Sequence, residues 1–152
     1  MKINFRYLLI VLILFTGCGF KVVKQQNYSN FNIIETEIIG DKRASYKIKS
    51  NLYKKFKDKN GKAIKIKGQI LKKKNVKEKN IQNIVTKYEI ELLGNFEIFI
   101  LGQNEIKEIT ISSLGSYTVN DQHSQTLFKE KELVDRLSNY VLDKLIDNIL
   151  KI

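Results

Sequence analysis

The sequence predicts an α+β domain, an antiparallel or mixed sheet of about four strands with two helices packed on one face. Two observations carry this expectation. From Val85 to Leu101, Tyr88, Ile90, Leu92, Phe96, Ile98 and Ile100 share one parity while Glu89, Glu91, Asn95 and Glu97 hold the other. Such alternation is the mark of a strand with one wet face. Elsewhere the apolar residues return at helical spacing, in a short stretch near Ala44 and a long one toward the C-terminus. The resulting order is strand, helix, strand, strand, strand, helix, a pattern that segregates helices to one side of a sheet.

Each element has its own signals. Phe31 to Ile39 is apolar and β-branched, a first strand. Gly40-Asp41 offers a turn and an N-cap, because the aspartate oxygen accepts an orphan helix N–H. Ala44, Ile48, Leu52 and Phe56 follow four residues apart, with lysines on the other side, and Asn60-Gly61 closes that helix. Ala63 to Leu71 alternates, placing Ile64, Ile66 and Ile70 on one face and Lys65, Lys67 and Gln69 on the other. Leu71 to Lys79 is then expected to be a turn crowded with lysines. In the Val85–Leu101 strand Gly94 interrupts the apolar face and is expected to mark a bulge or bend. Gly102-Gln103-Asn104 gives a hairpin turn, and Ile109, Ile111, Tyr117 and Val119 continue the alternation in a partner strand. The last helix starts after Asn120-Asp121, with Asp121 or Ser124 as its cap. Leu127, Leu133, Val134, Leu137, Tyr140, Val141 and Leu145 fall on its core face, while Ile146 and Leu150 fall roughly opposite and are candidate partner contacts.

The N-terminus carries a different kind of signal. Lys2 and Arg6 precede the apolar run Tyr7 to Phe15, and "FTGC" ends it at Cys18. The run is too short for a span, which needs ~20 apolar residues, and its basic start and small-residue end are those of a signal peptide. Small-small-Cys resembles the lipobox of bacterial lipoproteins. That resemblance implies cleavage before Cys18, a diacylglycerol on its sulfur and acylation of its new amine, and several chains together give stable anchoring. The expected organisation is a signal peptide over 1–17, a lipidated tether over 18–30 and one domain over 31–152. The sole cysteine is then used by lipid, leaving none for a disulfide. In such lipoproteins an Asp after the cysteine favours inner-membrane retention, and Gly19 is compatible with passage to the outer membrane.

Charge is unevenly spread. The chain carries +11, yet Asp41 to Lys79 alone holds sixteen Lys and Arg against Asp41, Asp58 and Glu78. A block of this kind is a solvated face or a surface for an anionic partner. Within it Lys72, Lys73, Lys74, Lys77 and Lys79 are the candidate phosphate contacts, the alternative being a soluble tip that keeps an edge from pairing. Catalysis is not expected. His123 is the only histidine, without a second ligand or nucleophile at useful spacing, and Ser124 beside it reads as a cap. Glu89, Glu91 and Glu97 are solvated carboxylates of the wet strand face, and no glycine-rich phosphate loop appears. No cofactor, metal or nucleic-acid partner is expected.

Several motifs, in order, resemble one family. "CGF" after the lipobox, "YEIELLGNFEIFILGQNEI" from Tyr88, "GSYTVND" from Gly115 and "LFKEKELVDRLSNYVLDKLIDNIL" from Leu127 resemble the lipopolysaccharide-assembly lipoprotein family LptE, also called RlpB. The resemblance implies an outer-membrane lipoprotein of Gram-negative bacteria, lipid-anchored on the periplasmic side. It implies a place within the lumen of the β-barrel LptD, which it helps to assemble, and a part in delivering lipopolysaccharide to the outer leaflet. Lipid A phosphates are the anions that the lysines from Lys72 to Lys79 would meet. The rival expectation is another small outer-membrane lipoprotein, a scaffold for barrel-assembly or cell-wall machinery.

Overall fold

The computed structural model describes residues 31–56, 61–103 and 105–152. The expected signal peptide and tether, with Cys18, lie outside these residues, as do Asn60 and Asn104 of the expected turns. Six elements follow in the expected order: β1 (Phe31–Gly40), α1 (Lys42–Lys55), β2 (Lys62–Lys79), β3 (Val85–Ile100), β4 (Ile106–Thr118) and α2 (His123–Ile149). The strands lie side by side as β1-β2-β3-β4, with β1 and β2 parallel and the other pairs antiparallel. The sheet is therefore mixed, with two helices on one face. No helix among the described residues is long and apolar enough to cross a membrane.

The sequence builds this locally. Gly40 sits at φ +111, and a Cβ there would collide with the Ile70 carbonyl oxygen. Only glycine allows the chain to leave β1 so close to β2. Asp41 follows and its Oδ1 accepts from the Ala44 N–H at 3.0 Å, the expected N-cap. Ala44, Ile48, Leu52 and Phe56 are all buried, as are Ile64, Ile66 and Ile70 of β2 and Ile90, Leu92, Phe96, Ile98 and Ile100 of β3. Each aliphatic side chain removed from water contributes roughly 1.5–3 kcal/mol, so these rows account for the layered core.

Four expectations are corrected. The strand expected to stop near Leu71 runs on to Lys79, because the first half of β3 supplies a partner for it, Lys74 opposite Ile90 and Val76 opposite Tyr88. The true tip is Asn80 to Ile84, where Asn80 Oδ1 accepts from the Gln82 and Ile84 N–H groups and Asn83 takes φ 64. Gly94 marks no bulge, since its register is continuous on both sides. It makes room instead: a Cβ at Gly94 or Gly68 would lie 2.7 or 2.6 Å from the Phe96 ring, which covers both glycines. Neither Asp121 nor Ser124 caps α2. Its N-cap is Gln122, and Thr126 Oγ1 accepts from the Asn120 N–H at 2.9 Å.

The face of α2 is also wider than expected. Leu142, Ile146 and Ile149 are buried together with Leu133, Val134, Leu137, Val141 and Leu145, and Leu150 packs against the same core. Ile146 is 1% exposed and is no partner contact. The helix has two neighbours to satisfy, the sheet and α1, so its apolar stripe must span both. Leu127 and Tyr140, by contrast, stand half exposed at 41% and 49%.

Candidate functional site

Successive residues of a strand point to opposite faces, so β2 divides the candidate lysines. Lys72 and Lys74 share the parity of Ile64, Ile66 and Ile70 and turn toward the helices. There Glu130 of α2 meets them: Lys74 Nζ lies 2.6 Å from Glu130 Oε2, and Lys72 Nζ 3.8 Å from Oε1. Lys72 also reaches Asp41 Oδ2 at 3.3 Å, the carboxylate that caps α1. Aromatic faces complete the arrangement. Lys74 Nζ lies 4.4 Å from the centre of the Tyr88 ring and 5.5 Å from that of Tyr117. The two rings stack at 5.8 Å, and the Tyr117 hydroxyl donates to Glu130 Oε2 at 2.8 Å.

The electrostatics of this group are those of a closed network. Partial burial works against the Glu130 carboxylate, yet hydrogen bonds from Lys74 and Tyr117 and the charge of Lys72 hold its pKa below the usual range. Burial likewise opposes the Lys74 ammonium, and Glu130 and Tyr117 more than offset it, raising its pKa. Burial pushes Tyr117 up as well. These groups neutralise one another and fasten β2, β4 and α2 together.

The remaining lysines are placed differently. A register shift lies between Val76 and Glu78, and Lys77 meets Glu89 Oε2 at 2.7 Å. Lys79 Nζ donates to the Asn83 side-chain oxygen at 3.0 Å across the tip. Lys73 is exposed and has no ion pair among the described residues. All five candidates are exposed, and the structure separates them by partner: Lys72 and Lys74 pair with Glu130 on the helix side of β2, while Lys73, Lys77 and Lys79 do not meet it.

That arm carries apolar side chains that the sequence reading did not single out. Val76, Ile81 and Ile84 are exposed at or beside the tip, Ile81 fully. The start of α2 belongs to the same end of the molecule, because the Val119 N–H donates to the Thr86 carbonyl just beyond the tip. Phe128 stands 67% exposed there. Exposed lysines and bare isoleucines together make the tip of the arm amphiphilic. The alternation of β3 and β4 made Tyr88 and Tyr117 visible in the sequence. Nothing local distinguished Glu130 from the other acids of α2, and Ile81 and Ile84 were hidden in a polar stretch. His123 opens α2 in an exposed position, and no cluster of metal-ligating side chains occurs among the described residues.

No family model matches the sequence, and no curated protein sequence matches it. Solved structures do resemble the fold. A minor lipoprotein from Acinetobacter baumannii gives a TM-score of 0.49 at 16% identity, over 75% of this chain and 93% of that one. A putative lipoprotein from Caulobacter crescentus gives 0.48 at 11% identity, over 78% and 85%. Rare lipoprotein B from Shewanella oneidensis aligns with a TM-score of 0.55 at 11% identity, over 77% and 97%. An identity this low speaks of architecture alone, and the conclusion this last likeness supports is that the domain has the fold of rare lipoprotein B.

Proposed function

We propose that the chain is an outer-membrane lipoprotein, anchored at Cys18, that works with an LptD-type β-barrel in lipopolysaccharide assembly. One observation carries the reading: a domain with the fold of rare lipoprotein B follows a lipobox at tether distance. The motifs from Tyr88, Gly115 and Leu127 that resemble the LptE family fall on β3, β4 and α2, the elements that form most of this fold.

Lipopolysaccharide is contacted, in this reading, at the exposed arm. Lys73, Lys77 and Lys79 face the lipid A phosphates, and Val76, Ile81 and Ile84 lie along its acyl chains. Each exposed charge contributes on the order of 1 kcal/mol or less, so binding needs several together. Lys72 and Lys74 are engaged with Glu130 instead. Two experiments test the proposal. Incorporation of labelled fatty acid is expected in the wild type and lost in Cys18→Ala; labelling that persists would refute the anchor. Pull-down of the lipidated chain from solubilised outer membranes is expected to recover an LptD-type barrel as dominant partner. A barrel-assembly component or peptidoglycan in its place would support the scaffold reading instead.

A further inference from the structure

Helix α1 has a charge distribution that its own stability does not explain. Among Lys42–Lys55 there are six Lys and Arg and no acid. The positive end of the helix dipole lies at the N-terminus, where cations are unfavourable, yet Lys42 and Arg43 occupy its first turn. Arg43 is compensated by Asp135 of α2 at 2.7 Å, which Lys47 approaches at 3.7 Å. Lys42, Lys49 and Lys54 have no ion-pair partner among the described residues.

The outward side also exposes aromatic surface. With Ala44, Ile48 and Leu52 facing the core, the 3.6-residue period places Tyr46 and Tyr53 in the middle of the opposite face. Lys42 and Lys49 flank them on one side, Arg43, Lys47 and Lys54 on the other. Tyr46 is 76% exposed. Tyrosines set among long cationic side chains suit the boundary between phosphate headgroups and acyl chains, where an amphipathic ring has both environments.

We infer that this face of α1 docks onto an anionic lipid surface, the headgroup layer of the bilayer that holds the N-terminal anchor. The inference rests on the lipid-anchor reading of Cys18. The helix is well placed for it, since α1 runs back along β1 from the turn at Gly40 and ends toward Phe31, where the tether joins. Thirteen tether residues, 18–30, reach at most ~45 Å, so the helix stays within range of the surface. Anionic lipids attract such a polybasic face over about a Debye length. Docking leaves the exposed arm of β2 and β3 free for the ligand proposed above.

Lysine labelling of the full lipidated chain on vesicles tests this directly. Protein is incorporated into phosphatidylcholine vesicles with or without phosphatidylglycerol, recovered by flotation and treated with an amine-reactive reagent. Rates at single lysines are then read by mass spectrometry. Lys42, Lys49 and Lys54 are expected to react severalfold more slowly on the anionic vesicles. Protection should vanish near 1 M salt, where the screening length is ~3 Å. Lys67 and Lys73, carried by the sheet, should react equally on both. Equal rates at the α1 lysines on the two vesicles would overturn the docking surface while leaving the anchor intact. Protection that appears only after an acidic protein is added would overturn it as well. Protein that does not float would overturn the anchor and this inference with it.

Discussion

The two halves of β2 face the same helices with different chemistry. From Lys62 to Ile70 the strand is flanked by β1 and β3, and its inward positions are Ile64, Ile66 and Ile70, all buried. Beyond Ile70 the partner β1 has ended, and the same parity continues as Lys72, Lys74 and Val76. The isoleucines hold the sheet to the helices by excluding water. The lysines do so by laying apolar stems inward and ending on Glu130, Asp41 and two tyrosine rings. A run of lysines is therefore not a run of free charges: strand parity turns some of them, though still exposed, toward acids on the helix side.

Substitutions can break this contrast, beginning with the apolar half. Ile66→Asp or Ile90→Asp places an unpaired carboxylate in a fully buried site, which costs several kcal/mol and should abolish the cooperative thermal transition. Glu91→Ala, one residue from Ile90 on the wet face, should change stability by less than ~0.5 kcal/mol. Equal shifts for the Ile90 and Glu91 variants would contradict the assignment of faces.

The polar half should give smaller effects with a pH signature. Glu130→Ala leaves Lys74 and the Tyr117 hydroxyl without their acceptor and should cost about 1–2 kcal/mol in denaturant unfolding. Because the folded pKa of Glu130 is lowered, its contribution is present above the unfolded value of ~4.3 and fades as pH falls through the folded value. Asp135, held down by its hydrogen bond from Arg43, acts in the same direction. Stability should therefore decline on acidification through that range, and Glu130→Gln should reduce the slope. An acid profile left unchanged by Glu130→Gln would remove this carboxylate from the account.

A smaller effect, of opposite sign, is expected at Thr36. Its hydroxyl is buried with no hydrogen-bond partner among the described residues. Thr36→Val keeps the shape and removes the unsatisfied group, which should stabilise the domain by about 1 kcal/mol. A loss of stability in the thermal melt would show that the hydroxyl has a partner after all.

The sequence made the framework legible for a physical reason. Burial on one face imposes period 2 on a strand and 3.6 on a helix, and Tyr88 to Ile100 and Ala44 to Phe56 obey those periods closely. The limits of β2 were illegible because lysine has little strand preference of its own. Its register there comes from β3, a partner distant in sequence. Ile146 was misplaced because one helix face was assumed where α2 packs on two neighbours. The division of the candidate lysines needed Glu130, whose nearness depends on how α2 lies against the sheet.

The separation of those lysines is the claim most open to a direct measurement: binding of purified lipopolysaccharide at low salt by two variants of the full chain. In one, Lys72→Met and Lys74→Met keep the apolar stems and remove the charges that meet Glu130. In the other, Lys73→Ser, Lys77→Ser, Lys79→Ser and Ile81→Ser strip the exposed arm. The first variant should melt at a lower temperature yet bind as wild type while folded, and the second should keep its melting temperature and bind more weakly. Wild-type binding by the second variant, or binding lost in the folded first variant, would contradict the assignment.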